Sequence, residues 1–383
     1  MNRTKPPGDR IVAVGVVLCA ALAIVFFNIA RHPIYTPDGF AYARVMITDA
    51  GFSTSSAVKR AEAYYLKTSV GRDPRYRRDF QVSPAAAIEG SKVIGNRVLY
   101  PLSASWLYPQ FGLRSLTIVS AIAFVASGIA LLAFLSLFSP PYVASLATVL
   151  VLLSWPMRLA ASSDLTDMLA FFWWVVVLFG MAHYLSVKSR WSLGVVALAS
   201  IALSLTRPVP YLPFIAALFC LGPPSQRKSG LALVAATALG VVSYGILAYT
   251  AHSGSLLAQL AWVKSHDDHQ PHFNSLATWY AYAVLSSIYH EVRLSISAVL
   301  PLIAVIVAAI AMYLERQRTQ TSLLIGATFG CTLAILLNPV AYALARVFEL
   351  PLLPVIAAAI LLLCGFVRIP KRYLAPFSRT IAR

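Results

Sequence analysis

The carboxylate with the most chemical promise is Asp38, in the run Pro33-Ile34-Tyr35-Thr36-Pro37-Asp38-Gly39-Phe40, just past the first long apolar segment. A side chain at that edge can face a water-filled cavity and act as general base on an acceptor hydroxyl. The same Pro-Asp-Gly is also turn chemistry, and Asp38 suits the cap of a helix beginning at Phe40. A second acidic pair, Asp164 and Asp167, follows Ser162 and Ser163 at the start of another apolar run. Three residues apart, the two share a helical face that could bind an acceptor or a cation. Capping by Ser163 with acids in the first turn accounts for them structurally, and suits Asp164 best. Asp167 lies nearer hydrocarbon, where a charge is costly without a purpose.

Arg207 sits in the Thr206-Arg207-Pro208 break, and Arg346 precedes Glu349, Pro351 and Pro354. Arginine presents the fork that binds phosphate oxygens in pairs; interfacial anchoring with the charged tip snorkelling to water is the structural alternative. In the stretch from His266 to His272, Asp267 and His269 are the candidates for a divalent cation. Their spacing matches no closed zinc pattern, and a solvated polar loop is the simpler reading. The chain has no P-loop, dinucleotide fingerprint, nucleophile elbow or His-Glu-x-x-His, which argues against ATP-driven transport and zinc proteolysis.

The elements that must hold these residues are set by composition. Of 383 residues, 59% are hydrophobic and only 12% charged, and the mean hydropathy is +0.73; soluble domains are far more balanced. Apolar runs predict membrane-spanning helices near 11–30, 115–137, 142–157, 165–186, 191–206, 208–221, 230–251, 294–314, 321–340 and 347–367. The short pair around Arg207 reads as two helices or one kinked element, so the count is nine or ten. The first run is too long for a cleaved signal peptide and lacks a small-residue cleavage site. All four cysteines fall within these runs as packing residues.

Orientation follows from basic residues in alternate turns: Arg3, Lys5 and Arg10; Lys188 and Arg190; Arg227 and Lys228; Arg316 and Arg318; Arg368, Lys371 and Arg372. Ten spans put all of them on the cytoplasmic side, with both termini. These membrane-flanking positions also explain the net charge of +17 without nucleic acid. The whole chain, 1–383, then reads as one polytopic membrane domain, with a cytoplasmic tail at 1–10, exported loops at 31–97 and 252–293, and a basic cytoplasmic tail at 368–383. In the first loop a helix near 57–67 is expected at the interface, its aromatic side with Tyr64 and Tyr65 turned to the membrane. A second juxtamembrane helix is expected from Arg97 to Phe111.

This arrangement resembles the GT-C superfamily of polytopic membrane glycosyltransferases, which includes protein O-mannosyltransferases and the aminoarabinose transferase of lipid A. The resemblance rests on an acid soon after the first span (Asp38 with Tyr42) and a long first exported loop with juxtamembrane helices. It rests too on the Arg97-to-Arg114 stretch, on a second acid at Asp164 or Asp167, and on a late arginine, Arg346, near Pro351 and Pro354. Two features depart from the pattern. Asp38 has no adjacent acid, Asp49 being well downstream, and nothing soluble follows the last span.

The resemblance implies an all-α membrane fold in a bacterial cytoplasmic membrane. It implies transfer of a sugar from a polyprenyl-phosphate donor to a glycan, lipid or protein acceptor on the exported face, with inversion. Asp38 would be the base and Arg346, Arg207 and Arg97 the phosphate ligands. Tyr42, Tyr64, Trp106 and His266 are candidate substrate contacts. A divalent cation is possible; no other cofactor is implied. The competing classes are a secondary transporter or lipid flippase, which needs ionisable groups deep in broken helices, and a non-catalytic membrane scaffold.

Overall fold

The computed structural model describes residues 7–74, 97–250, 264, 275–294, 319–337 and 350–366, and among them the chain is helical without strands. The first helix, α1 (Pro7–Ile24), ends in a π-helical turn, Val25–Ile29. Among the described residues four helices follow before the next long apolar one: α2 (Pro37–Asp49), α3 (Thr54–Tyr65), a single turn at Ser69–Arg72, and α4 (Leu99–Phe111). The bundle continues with α5 (Ser115–Leu135), α6 (Pro141–Leu153), α7 (Trp155–Ser162) and α8 (Asp167–Val187). Next come α9 (Arg190–Thr206), α10 (Tyr211–Phe219) and α11 (Arg227–Thr250). The last three are α12 (Leu276–Leu294), α13 (Thr319–Leu337) and α14 (Leu350–Phe366).

Among the described residues four helices are long and apolar enough to cross a membrane: Gly8–Ile29, Leu99–Leu135, Asp167–Val187 and Arg227–Thr250. A fifth is the pair α6 and α7, bent by 61° at Ser154. The stretch Leu99–Leu135 has 37 residues, about 55 Å of helix, well beyond a hydrocarbon core of about 30 Å. Gly112, at φ 58°, breaks it. That break separates α4 from α5. The predicted runs 191–206 and 208–221 are two helices parted by Arg207–Pro210, not one kinked helix, while 294–314 lies outside the described residues.

Packing relies on small residues. A Cβ at Gly240 of α11 would collide with the backbone of Ser200 on α9, and one at Gly326 of α13 would crowd Ala216 and Phe219 of α10. Close backbone approach of this kind is how apolar helices gain contact when their lipid-facing and buried surfaces are equally hydrophobic. Buried hydroxyls inside the bundle bond back to their own helix, as Thr148 does to Ala144 and Ser204 to Ser200.

The two ends of the bundle differ. At one, the α8–α9 turn meets the start of α11, where Lys188 Nζ donates to Ser229 Oγ at 2.6 Å; Arg190, Arg227 and Lys228 lie in the same turns. At the other, the chain leaving α1 pairs with the α7–α8 link. Ile34 N–H donates to the Ser162 carbonyl at 2.8 Å and Asp164 N–H to the Ile34 carbonyl at 3.2 Å. On this link α2, α3 and α4 build a separate apolar cluster from Phe40, Met46, Ala61, Tyr65, Tyr100 and Leu116.

Candidate functional site

The sequence Thr36-Pro37 is a helix start in its own right, with a hydroxyl cap followed by the residue whose fixed φ suits the first turn. Thr36 Oγ1 accepts from Gly39 N–H at 2.9 Å, so α2 begins at Pro37. This corrects the expectation of a helix starting at Phe40 with Asp38 as its cap. Asp38 lies in the first turn and is exposed. Tyr42, one turn further and on the same face, is fully buried. Its hydroxyl accepts from Arg97 Nη1 at 2.5 Å. The ring of Tyr42 is thus closed to a substrate, and its hydroxyl ties Arg97 to α2.

Asp164 is not at a helix cap. Ser163 Oγ donates to the Ala160 carbonyl, and α8 starts at Asp167 after Thr166, which makes no side-chain cap bond. The expected Ser163 cap is therefore absent, because Asp164 has been drawn off to the loop that leaves α1. Its carboxylate is fully buried. It accepts from Thr36 Oγ1 at 2.9 Å and from the Tyr65 hydroxyl at 2.5 Å, and from the backbone N–H groups of Thr36 and of Asp164 itself. All four donors are neutral. Burial raises its pKa to about 7, against the pull of those hydrogen bonds. Gly39 packs directly on this carboxyl group, where a Cβ would overlap it.

Around this group lie tyrosines. Burial first, then the Asp164 charge, holds the Tyr65 phenol well above its usual range. Tyr65 packs edge-on against Phe40 at 5.5 Å, and Tyr35 and Tyr64 share a hydrogen bond of 2.7 Å. The expected interfacial placement of α3, aromatic side to the membrane, is corrected: Tyr65 is buried against α2 and Tyr64 is only partly exposed. Tyr100 of α4 donates to the Leu116 carbonyl, and Ser120 Oγ reaches the Ser163 carbonyl at 3.0 Å. Trp106, also on α4, is 79% exposed and lies apart from this network.

Asp167 forms an ion pair with Arg207, both buried. The pair lines a small cleft with Phe171, Trp174, Leu212 and Pro351, and Trp174 Nε1 donates to the Pro351 carbonyl at 2.9 Å. Arg207 is consequently held inside the protein and does not snorkel at an interface; any phosphate would have to compete with Asp167 for it. Among the described residues Asp164 and Asp167 are the buried acids, and each is satisfied by a different part of the chain.

Arg346, His266, Asp267 and His269 lie outside the described residues. Among those described, no group of three or more His, Cys, Asp or Glu side chains is placed to hold a metal ion. Sequence reasoning passed over Thr36, Gly39 and the hydrogen-bonding role of Tyr65. The Thr-Pro pair signalled the first; nothing local signalled the other two. No family model, curated protein or solved structure matches the chain.

Proposed function

We propose that the protein is a polytopic membrane glycosyltransferase that moves a sugar from a polyprenyl-phosphate donor to an acceptor hydroxyl. In this reading ten helices span a bacterial cytoplasmic membrane. The basic turns and both termini are cytoplasmic, and the Asp38 end faces out. The observation that supports it is that an exposed carboxylate, Asp38, lies one helical turn along α2 from Tyr42, whose hydroxyl accepts from the Arg97 guanidinium.

The chemistry follows from that pairing. Asp38 takes the acceptor's proton as the acceptor oxygen forms its bond to the anomeric carbon. The bond from that carbon to the phosphate oxygen breaks, its electron pair leaves with the lipid phosphate, and the configuration inverts. Arg97, joined by Arg346 and by Arg207 once freed from Asp167, stabilises the phosphate charge as it grows, which favours the transition state over the ground state. The donor carries its own activation, so no nucleotide is needed.

Two experiments test this. Lipid-linked sugars extracted from cells with and without the protein should differ, with one polyprenyl-phosphate sugar accumulating in its absence. Asp38→Asn should insert and fold normally yet lose roughly two to four orders of magnitude in transfer; full activity in that variant sinks the mechanism. Two observations favour a second reading, a lipid flippase: the bent α6–α7 pair and the buried Asp167–Arg207 ion pair are features of transport paths. Lipid translocation by reconstituted Asp38→Asn, with no glycosylated product from either form, would support the flippase.

A further inference from the structure

Asp164 is the buried acid whose contacts lead straight to Asp38. Its Oδ1 receives the Thr36 hydroxyl proton, which leaves the Thr36 oxygen lone pairs aimed at Gly39 N–H. Its Oδ2 holds Tyr65 of α3, and its carboxyl plane carries the Cα of Gly39. Asp38 lies between Thr36 and Gly39, so one residue on each side of it in the turn is held by the same side chain. The backbone bridge between Ile34 and Ser163 fixes the same two segments from the other side. With no exposure and four neutral donors, Asp164 is unsuited to receive an acceptor or a cation.

We infer that Asp164 is a positioning residue: it locks the first turn of α2 so that the Asp38 carboxylate is held at the angle its reaction needs. This rests on the reading of Asp38 as general base. A carbonyl oxygen can replace the carboxylate in that task, since it still accepts from Thr36, while an amide N–H donates to the Tyr65 oxygen. The charge of Asp164 is therefore dispensable and its shape is not. A group acting on substrate would show the reverse.

The test uses the purified full-length protein with a panel of radiolabelled polyprenyl-phosphate-linked hexoses and pentoses, and compares kcat with KM for each variant. Asp164→Asn should stay within about threefold of wild type. Asp164→Ala should lose roughly 10- to 100-fold in kcat with KM for the donor little changed, the cost expected when a reacting group drifts by about 1 Å. Should Asp164→Ala fold poorly, Thr36→Val breaks the same link by another residue, and Thr36→Ser should restore it. Wild-type kcat in folded Asp164→Ala or Thr36→Val overturns the positioning role. So does an Asp164→Asn as inactive as Asp38→Asn, which would make Asp164 a catalytic residue. Full activity in Asp38→Asn instead removes the base and, with it, anything for Asp164 to position.

Discussion

Replacing Gly39 by alanine is the sharpest probe of the packing at Asp164. In an ordinary helix that change stabilises by roughly 0.5–1 kcal/mol, because alanine loses less conformational freedom on folding. Here the added methyl falls on the carboxyl group of Asp164. The group is buried with hydrogen bonds on both oxygens, so it cannot swing away freely. Overpacking costs about 1–3 kcal/mol, and dislodging even one bond from a buried carboxylate adds about 1–3 kcal/mol. Setting these against the helix gain predicts a net loss of about 1–5 kcal/mol.

The measurement is a double-mutant cycle in mixed micelles, with unfolding driven by SDS and followed by far-UV ellipticity. In the Asp164→Ala background the space is open, and Gly39→Ala should be neutral or slightly stabilising. That gives a coupling energy between the two positions at least as large as the loss seen in the wild-type background. A Gly39→Ala protein as stable as wild type, or one equally damaged in both backgrounds, would refute the packing of Gly39 on Asp164.

Three further outcomes are expected. Because the folded pKa of Asp164 is raised to about 7 from the ordinary carboxylate value of 3.8, its contribution to stability is complete below about pH 4. That contribution is lost as pH rises through 7, by at most about 1.4 kcal/mol per unit; unfolding at pH 5 and pH 8 should show this slope, and Asp164→Asn should reduce it. Asp167→Ala should destabilise by about 3–5 kcal/mol, since it strands the buried Arg207 charge, whereas Asp167→Leu with Arg207→Met should recover most of the loss. Cysteines placed at Ser69 and Ser275 should react with an impermeant maleimide on intact cells, and ones at Ser189 and Lys228 should not; equal labelling of Ser69 and Ser189 refutes the orientation.

The long helices were legible because an apolar run bounded by charge has few alternatives, and α5, α8 and α11 lie close to where their runs predict. The start of α2 was not, because Thr36-Pro37-Asp38-Gly39 carries turn residues throughout, so the helix reads from Phe40 with Asp38 as its cap. Its helicity comes from burial of Phe40, Tyr42, Met46 and Ile47 against α3 and α4. Asp38 and Arg97 were picked out singly by type and place, but nothing local could say that Tyr42 joins them. Asp164 misled for the same reason. Local logic favoured a cap, whereas its partner Thr36 is 128 residues away. Glycine 39 looked like turn chemistry, and its true constraint is the carboxyl group pressed against it.

The bridge between Ile34 and Ser163 also imposes an order on biogenesis. A ribosome adds roughly 5–20 residues per second, so the 128 residues between Thr36 and Asp164 take on the order of 10 s to follow. Through that interval the Thr36 hydroxyl and the Tyr65 phenol are still without their carboxylate. Such long-range closure is the slow part of folding, and here it waits on synthesis of α5, α6 and α7. A chain arrested before Ser162 would carry the first turn of α2 without the carboxyl group against which Thr36, Gly39 and Tyr65 pack, so that turn is completed only once α7 has been made.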